Sequence, residues 1–116
     1  MAFKFEDLRV WELAINLSSE VSKLVKTFPS EERFVLSAQM QRAADSVVLN
    51  IAEGSTGQSN AEFKKFLGYS IRSGIEVVSC LYLGKKRNFI NEEDFSRLYV
   101  SYEGLIIKIQ ALRNSF

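Results

Sequence analysis

At 116 residues, with 47% hydrophobic and 25% charged side chains, the chain suits one domain around a single buried core and is too apolar for a disordered segment. Lys+Arg number 15 against 14 Asp+Glu, a net charge of +1, so no global field draws in a polyanion and any nucleic-acid surface has to be a local patch. Histidine is absent and there is 1 cysteine, Cys80, which leaves zinc, Ser-His and Cys-His chemistry without their residues and excludes an intramolecular disulfide.

Cys80 lies inside a helical apolar pattern and reads as a packed, inert thiol, as suits a reducing cytoplasm. Acids at Glu6 and Asp7 stand where a secretory apolar region would begin, and no apolar run approaches the roughly 18 residues of a membrane span. The expectation is a soluble, unexported, cytoplasmic protein with no membrane contact, metal or cofactor.

Val10, Leu13, Leu17, Val21, Leu24 and Phe28 step by three or four and predict a first helix over about 5–28. Pro29 ends it, and Ser30 with Glu31 and Glu32 predicts the cap and first turn of a second helix over about 30–54. Its core face is Leu36, Met40, Ala43, Val47 and Ile51, and Gly54 is expected to close it in the left-handed conformation, ahead of a Ser55–Gln58 loop. Ser59 and Glu62 form a capping-box signature for a third helix over about 60–88, with Phe63, Leu67, Ser70, Gly74, Val77 and Leu81 as a seam of small central residues. Asn91-Glu92-Glu93-Asp94 opens a fourth over about 92–114, along Phe95, Leu98, Tyr102, Leu105, Ile109, Leu112 and Phe116. Long amphipathic helices on short connections predict an all-α, up-down-up-down antiparallel four-helix bundle filling residues 1–116 as a single domain.

Two features exceed what such a bundle needs. Leu8, Trp11 and Ile15 on the first helix, and Tyr99, Val100, Ile106 and Ile107 on the fourth, lie outside the core stripes. Self-association explains such a surplus, with Leu8, Trp11, Ile15, Tyr99 and Ile106 as the candidate interface; Trp11 capping the bundle end is the alternative. The second feature is polar. Arg42, Ser46, Asn50 and Glu53 recur at steps of four, four and three on the second helix, and Ser73 and Glu76 lie one turn apart on the third. In an antiparallel hairpin Arg42 falls near Glu76, predicting an ion pair within a polar network that fixes helix register, with a partner-contact pocket as the other reading. Glu53 and Glu76 are separated by most of a hairpin arm and lack a nucleophile or metal ligand beside them, so catalysis is not expected.

Lys64 and Lys65 open the third helix and Lys85, Lys86 and Arg87 close it, at opposite poles of the rod. They are the candidate nucleic-acid contacts: in a ring, one pole would be repeated into a basic rim able to hold phosphates. The alternative is that they complete the helix dipole in water.

Phe5-Glu6-Asp7-Leu8-Arg9-Val10-Trp11, Phe28-Pro29-Ser30-Glu31-Glu32, Gln41-Arg42-Ala43-Ala44 and Asn50-Ile51-Ala52-Glu53-Gly54, with Phe63 to Leu67, Ser73 and Glu76, give the chain a resemblance to a known family. It resembles, over nearly its whole length, the bacterial four-helix-bundle proteins encoded in intervening sequences of 23S ribosomal RNA genes. It departs from the usual pattern at Gln41, where that family shows arginine, and at Val48, where it shows proline. The resemblance implies a closed four-helix bundle, a pentameric ring, and no settled activity. A related branch, the accessory proteins of diversity-generating retroelements, implies binding of nucleic acid and a reverse transcriptase, but that branch is strongly basic. The expected function is a non-enzymatic, homo-oligomeric interaction protein touching RNA through a local basic rim; the alternative is a protein-binding adaptor without a nucleic-acid role.

Overall fold

The computed structural model describes residues 2–57 and 59–116; Met1 and Gln58, the last residue of the expected loop, lie outside the described residues. Four α-helices follow in order: α1 Arg9–Val25, α2 Leu36–Gly54, α3 Asn60–Lys86 and α4 Glu92–Asn114. No strand occurs among the described residues. Consecutive helices pack against each other, and α4 closes the bundle on α1 through a sparser contact, giving an antiparallel rod of 43 × 22 × 22 Å.

The core lies along the rod axis. Val21, Met40, Val47, Ile51, Leu67, Val77, Leu81, Leu98, Tyr102, Leu105 and Ile109 are all buried, and each large apolar side chain among them contributes about 1.5–3 kcal/mol on leaving water. These are the positions that the three-four periodicity marks. The Ser59 hydroxyl accepts from Glu62 N–H at 3.1 Å and the Asn91 side chain from Asp94 N–H at 2.7 Å, so two of the three expected N-caps form.

Three local expectations change. The first helix does not run from residue 5. Lys4–Asp7 is a separate 3-10 turn, held by Phe3 N–H to Glu6 Oε1 at 2.9 Å, and it folds Phe5 onto Trp11 with ring centroids 4.8 Å apart. The second helix does not start at Ser30: Ser30–Glu32 is one 3-10 turn, and α2 begins only at Leu36. Phe28 stays buried against Phe89 at the bundle end, ring centroids 5.7 Å apart, so the chain has to cross that end before it can rise as a helix.

Gly54 does not adopt the left-handed conformation. It remains helical, and its lack of a side chain serves packing: a Cβ there would lie 2.6 Å from Phe66 Cβ, so α2 meets α3 more closely than any larger residue permits. Among the described residues the left-handed ones are Gly57, at φ 90°, and Asn88, at φ 63°. Asn88 lets the chain double back so that Phe89 N–H and Ile90 N–H both reach Gly84 O, at 2.8 and 3.2 Å, closing α3.

Candidate functional site

The 3.6-residue period that turns Met40, Ala43, Val47 and Ile51 inward places Arg42, Ser46, Asn50 and Glu53 along the flank of α2 that borders α3. At mid-height the Ser46 hydroxyl accepts from Ser73 Oγ and from Asn50 Nδ2, each at 2.9 Å; Asn50 also donates to Ser46 O at 2.9 Å. Just inside this seam, the fully buried Ser70 hydroxyl donates to Val47 O at 2.9 Å, so even the small core residue of α3 is satisfied.

Arg42 and Glu76 do not pair directly. Gln39, one turn earlier on the same face, stands between them: its amide donates to Glu76 Oε2 and its carbonyl accepts from Arg42 Nη2 at 2.9 Å. Arg42 and Gln39 are exposed and Glu76 is half-buried, so water already solvates the guanidinium and a direct ion pair would gain little over this neutral bridge. Glu53 is exposed beyond the seam, and the α2–α3 register puts it roughly 12 residues, about 18 Å, along the axis from Glu76. The two carboxylates do not converge on a common cleft.

A second polar cluster joins α1 to α2. Ser18 Oγ donates to Asp45 Oδ1 at 2.6 Å, and Gln41 Nε2 donates to the same oxygen at 3.0 Å. Ser18, a polar residue between the core positions Leu17 and Val21, is the signal that could have revealed it. Beneath lies Tyr102, whose hydroxyl is buried without a hydrogen-bond partner among the described residues. Burial first, then the negative charges of Asp45 and Glu20, push this phenol well above its ordinary pKa.

The expected basic pole is only partly free. Lys85 pairs with Glu92 at 2.6 Å and sits 4.3 Å from the Phe95 ring centre, and that contact, with a second from Ser96, lowers the Glu92 pKa. Lys86 and Arg87 are exposed, with the exposed acids Glu92 and Glu93 a few residues on in the chain. At the other pole, the Lys64 carbonyl accepts from Arg113 Nε at 3.0 Å, and Lys65 lies over Phe66 at 5.6 Å. Cys80 is buried, and burial raises its thiol pKa further from reactivity.

The surplus apolar residues divide. Leu8 and Trp11 are partly buried against the core, while Ile15 stays 38% exposed. Tyr99 and Ile106 are half-buried and join a broader apolar band across α3 and α4 with Ile75, Tyr82 and Ile107, each more than half exposed; Val100, also exposed, lines the groove between α4 and α1 instead. Sequence reasoning passed over Ile75 and Tyr82 because the α3 seam alone already explained a helix. It also passed over Phe34 and Val35, 84% and 59% exposed, by placing them inside a helix that begins later.

Among the described residues no group of three His, Cys, Asp or Glu side chains could hold a metal ion, and no helix is long and apolar enough to cross a membrane. The fold is that of a crystal structure of a protein of unknown function from the S23 ribosomal protein family of Bacteroides thetaiotaomicron VPI-5482: TM-score 0.84 over 90% of this chain and 95% of that one, at 22% identity. No functionally curated protein matches the chain. The sequence profile described as 23S rRNA-intervening sequence protein matches residues 6–111, almost the entire bundle, and the chain therefore belongs to that family.

Proposed function

We propose that this protein is a non-enzymatic, cytoplasmic interaction module that works as a homo-oligomer. The observation that carries the reading is the apolar band of Ile75, Tyr82, Tyr99, Ile106 and Ile107 on the outer side of α3 and α4. Isolated exposed apolar residues are ordinary, but a contiguous band on one side of a small bundle is an association surface. A ring of five is the assembly that the family resemblance implies. The test is light scattering on the eluting peak of a gel-filtration column: a multiple of 13.2 kDa is expected, and a monomer mass at every concentration overturns the reading.

A nucleic-acid role is the second part of the proposal, and it rests on Lys86 and Arg87, which are exposed at one pole and would be repeated around a ring. The acids a few residues on weaken the local field, so binding should be modest and steeply salt-dependent. Titration with structured RNA at two salt concentrations tests it. A salt slope reduced by Lys86→Ala with Arg87→Ala supports RNA contact; salt-independent or absent binding favours the protein-adaptor alternative.

A further inference from the structure

Among the described residues Phe34 is the most exposed large apolar side chain, and it projects from the turn before α2 with Val35 beside it. Arg33 lies 5.3 Å from the centre of the Phe34 ring and has no carboxylate partner among the described residues. The turn is thus an aromatic knob carrying one free cation. Aromatic side chains, phenylalanine included, and arginine are enriched at the surfaces where proteins meet.

A complementary socket exists on the other side of the bundle. Ile75, Val78, Tyr99, Ile106 and Ile107 wall an apolar cleft of about 300 Å³ whose single charged residue is Glu103. An apolar cavity of about 150 Å³ already accepts a benzene ring, so the cleft has room for a phenyl group and an adjoining valine. Glu103 is exposed and has no cationic partner among the described residues.

Knob and socket cannot meet within one molecule. Arg33 lines the groove between α1 and α2, whereas the cleft opens between α3 and α4, on the opposite long side of a rod 22 Å across. They do lie at similar heights. The Ser46–Ser73 and Gln39–Glu76 contacts set Ile75 and Val78 level with roughly residues 39–42 of α2, within about 12 Å of Phe34 along the axis at 1.5 Å per residue. Copies standing side by side with parallel axes can therefore bring one to the other.

We infer that the Arg33-Phe34-Val35 turn of one copy docks into the Ile75–Tyr99–Ile107 cleft of the next, with Arg33 pairing to Glu103. The inference rests on the self-association proposed above and names its surface. The occupant is a second copy because one chain carries both halves, an apolar knob with a cation and an apolar socket with a carboxylate, in equal number. Two different faces meeting make a heterologous contact, which closes into a ring when the rotation per copy divides the circle and otherwise runs on as a filament.

Disulfide trapping tests it. Val35→Cys and Ile75→Cys change exposed positions, and Cys80, 2% exposed, stays out of reach. Mixed and oxidised, the two variants should form a covalent dimer that neither forms alone, and a chain carrying both changes should form a ladder or closed ring. Phe34→Ala should weaken association about 30-fold without changing the helical spectrum. Arg33→Glu should weaken it as well, and adding Glu103→Arg to the same chain should restore it. Oligomers that do not cross-link in the mixture overturn this contact but leave self-association standing. Self-linking of Ile75→Cys alone means a two-fold interface and also overturns it. Monomer mass at every concentration overturns both, and leaves the cleft to a different protein.

Discussion

Replacing Tyr102 by Phe should stabilise the protein, although it removes a polar atom from a structure rich in satisfied ones. Tyr102 is fully buried in α4, and its hydroxyl has no hydrogen-bond partner among the described residues. A hydroxyl taken from water without a partner costs roughly 1–3 kcal/mol by the measure of protein mutations. The phenylalanine leaves only a hydroxyl-sized gap, so about 1.5 kcal/mol of net stabilisation is expected. Melting entropy near 2.1 cal/mol/K per residue makes each kcal/mol worth about 4 °C in a chain of 116 residues, so Tm should rise by about 6 °C. Calorimetry at neutral pH reads this directly. A variant that melts below the parent refutes the reasoning, because it would show the hydroxyl well bonded in solution.

The same residue sets an alkaline signature. Burial, Asp45 and Glu20 raise the folded-state pKa of Tyr102 above its ordinary value of 10. Above that pH the unfolded chain loses a proton that the folded chain keeps, so unfolding is favoured increasingly as pH rises, by up to about 1.4 kcal/mol per pH unit. Below pH 10 this contribution to stability is fully retained. The parent should therefore lose stability faster than Tyr102→Phe between pH 10 and the onset of general alkaline unfolding, and parallel curves would contradict the assignment.

Two glycines should respond in opposite directions. Alanine is the better helix former by about 1 kcal/mol, so Gly104→Ala, whose Cβ would meet nothing within 4 Å, should stabilise by that amount, while Gly54→Ala should destabilise by about 1–3 kcal/mol because its Cβ would press on Phe66 Cβ at 2.6 Å. Urea unfolding of the two variants measures both. Arg42→Ala should change stability by no more than about 0.5 kcal/mol, since the guanidinium is exposed and bonded to a neutral amide; a loss of 3 kcal/mol or more would mean a buried ion pair after all. Ile107 and Ile109 lie about 200° apart around α4 and are 63% and 0% exposed, so Ile107→Glu should keep the helical spectrum and lose association, whereas Ile109→Glu should unfold the chain.

Helix number, order and core positions were legible because each rests on a pattern repeated over 17 to 27 residues, and single misplaced groups cannot erase such a pattern. The ends were harder to read. Ser30 and Gly54 carry the right chemistry for a cap and a stop, yet tertiary packing decides both: Phe28 has to be buried across the bundle end, and Phe66 has to approach the α2 backbone. The polar line was found as a line but misjudged in depth. Register along two helices places Arg42 near Glu76 in height, but it says nothing of a third side chain, Gln39, that reaches the carboxylate first. Ser18–Asp45 was missed because one helix supplies each half: Ser18 stands out among core positions, but nothing in its own helix names Asp45 as the partner.

The character of α4 ties the fold to the proposed role. Leu98, Tyr102, Leu105 and Ile109 turn inward and are buried, while Val100 and Ile107 point outward and are 64% and 63% exposed. The outer face of α4 also carries Arg97, Glu103 and Lys108, so it is mixed, and covering Val100 and Ile107 would remove apolar surface from water without burying every charge. The opposite side of the molecule differs in degree. There α2 presents Gln39, Arg42, Asp45 and Glu53, a mixed polar surface broken by Leu49 and, at the turn before the helix, by Phe34 and Val35. Evenly mixed charge with a net of +1 gives no side of the rod a strong field, so selection of a partner has to come from shape and apolar contact more than from charge. That ordering of forces favours a protein surface over a polyanion as the first thing this bundle recognises, and it leaves nucleic acid to whatever basic rim an assembled ring creates.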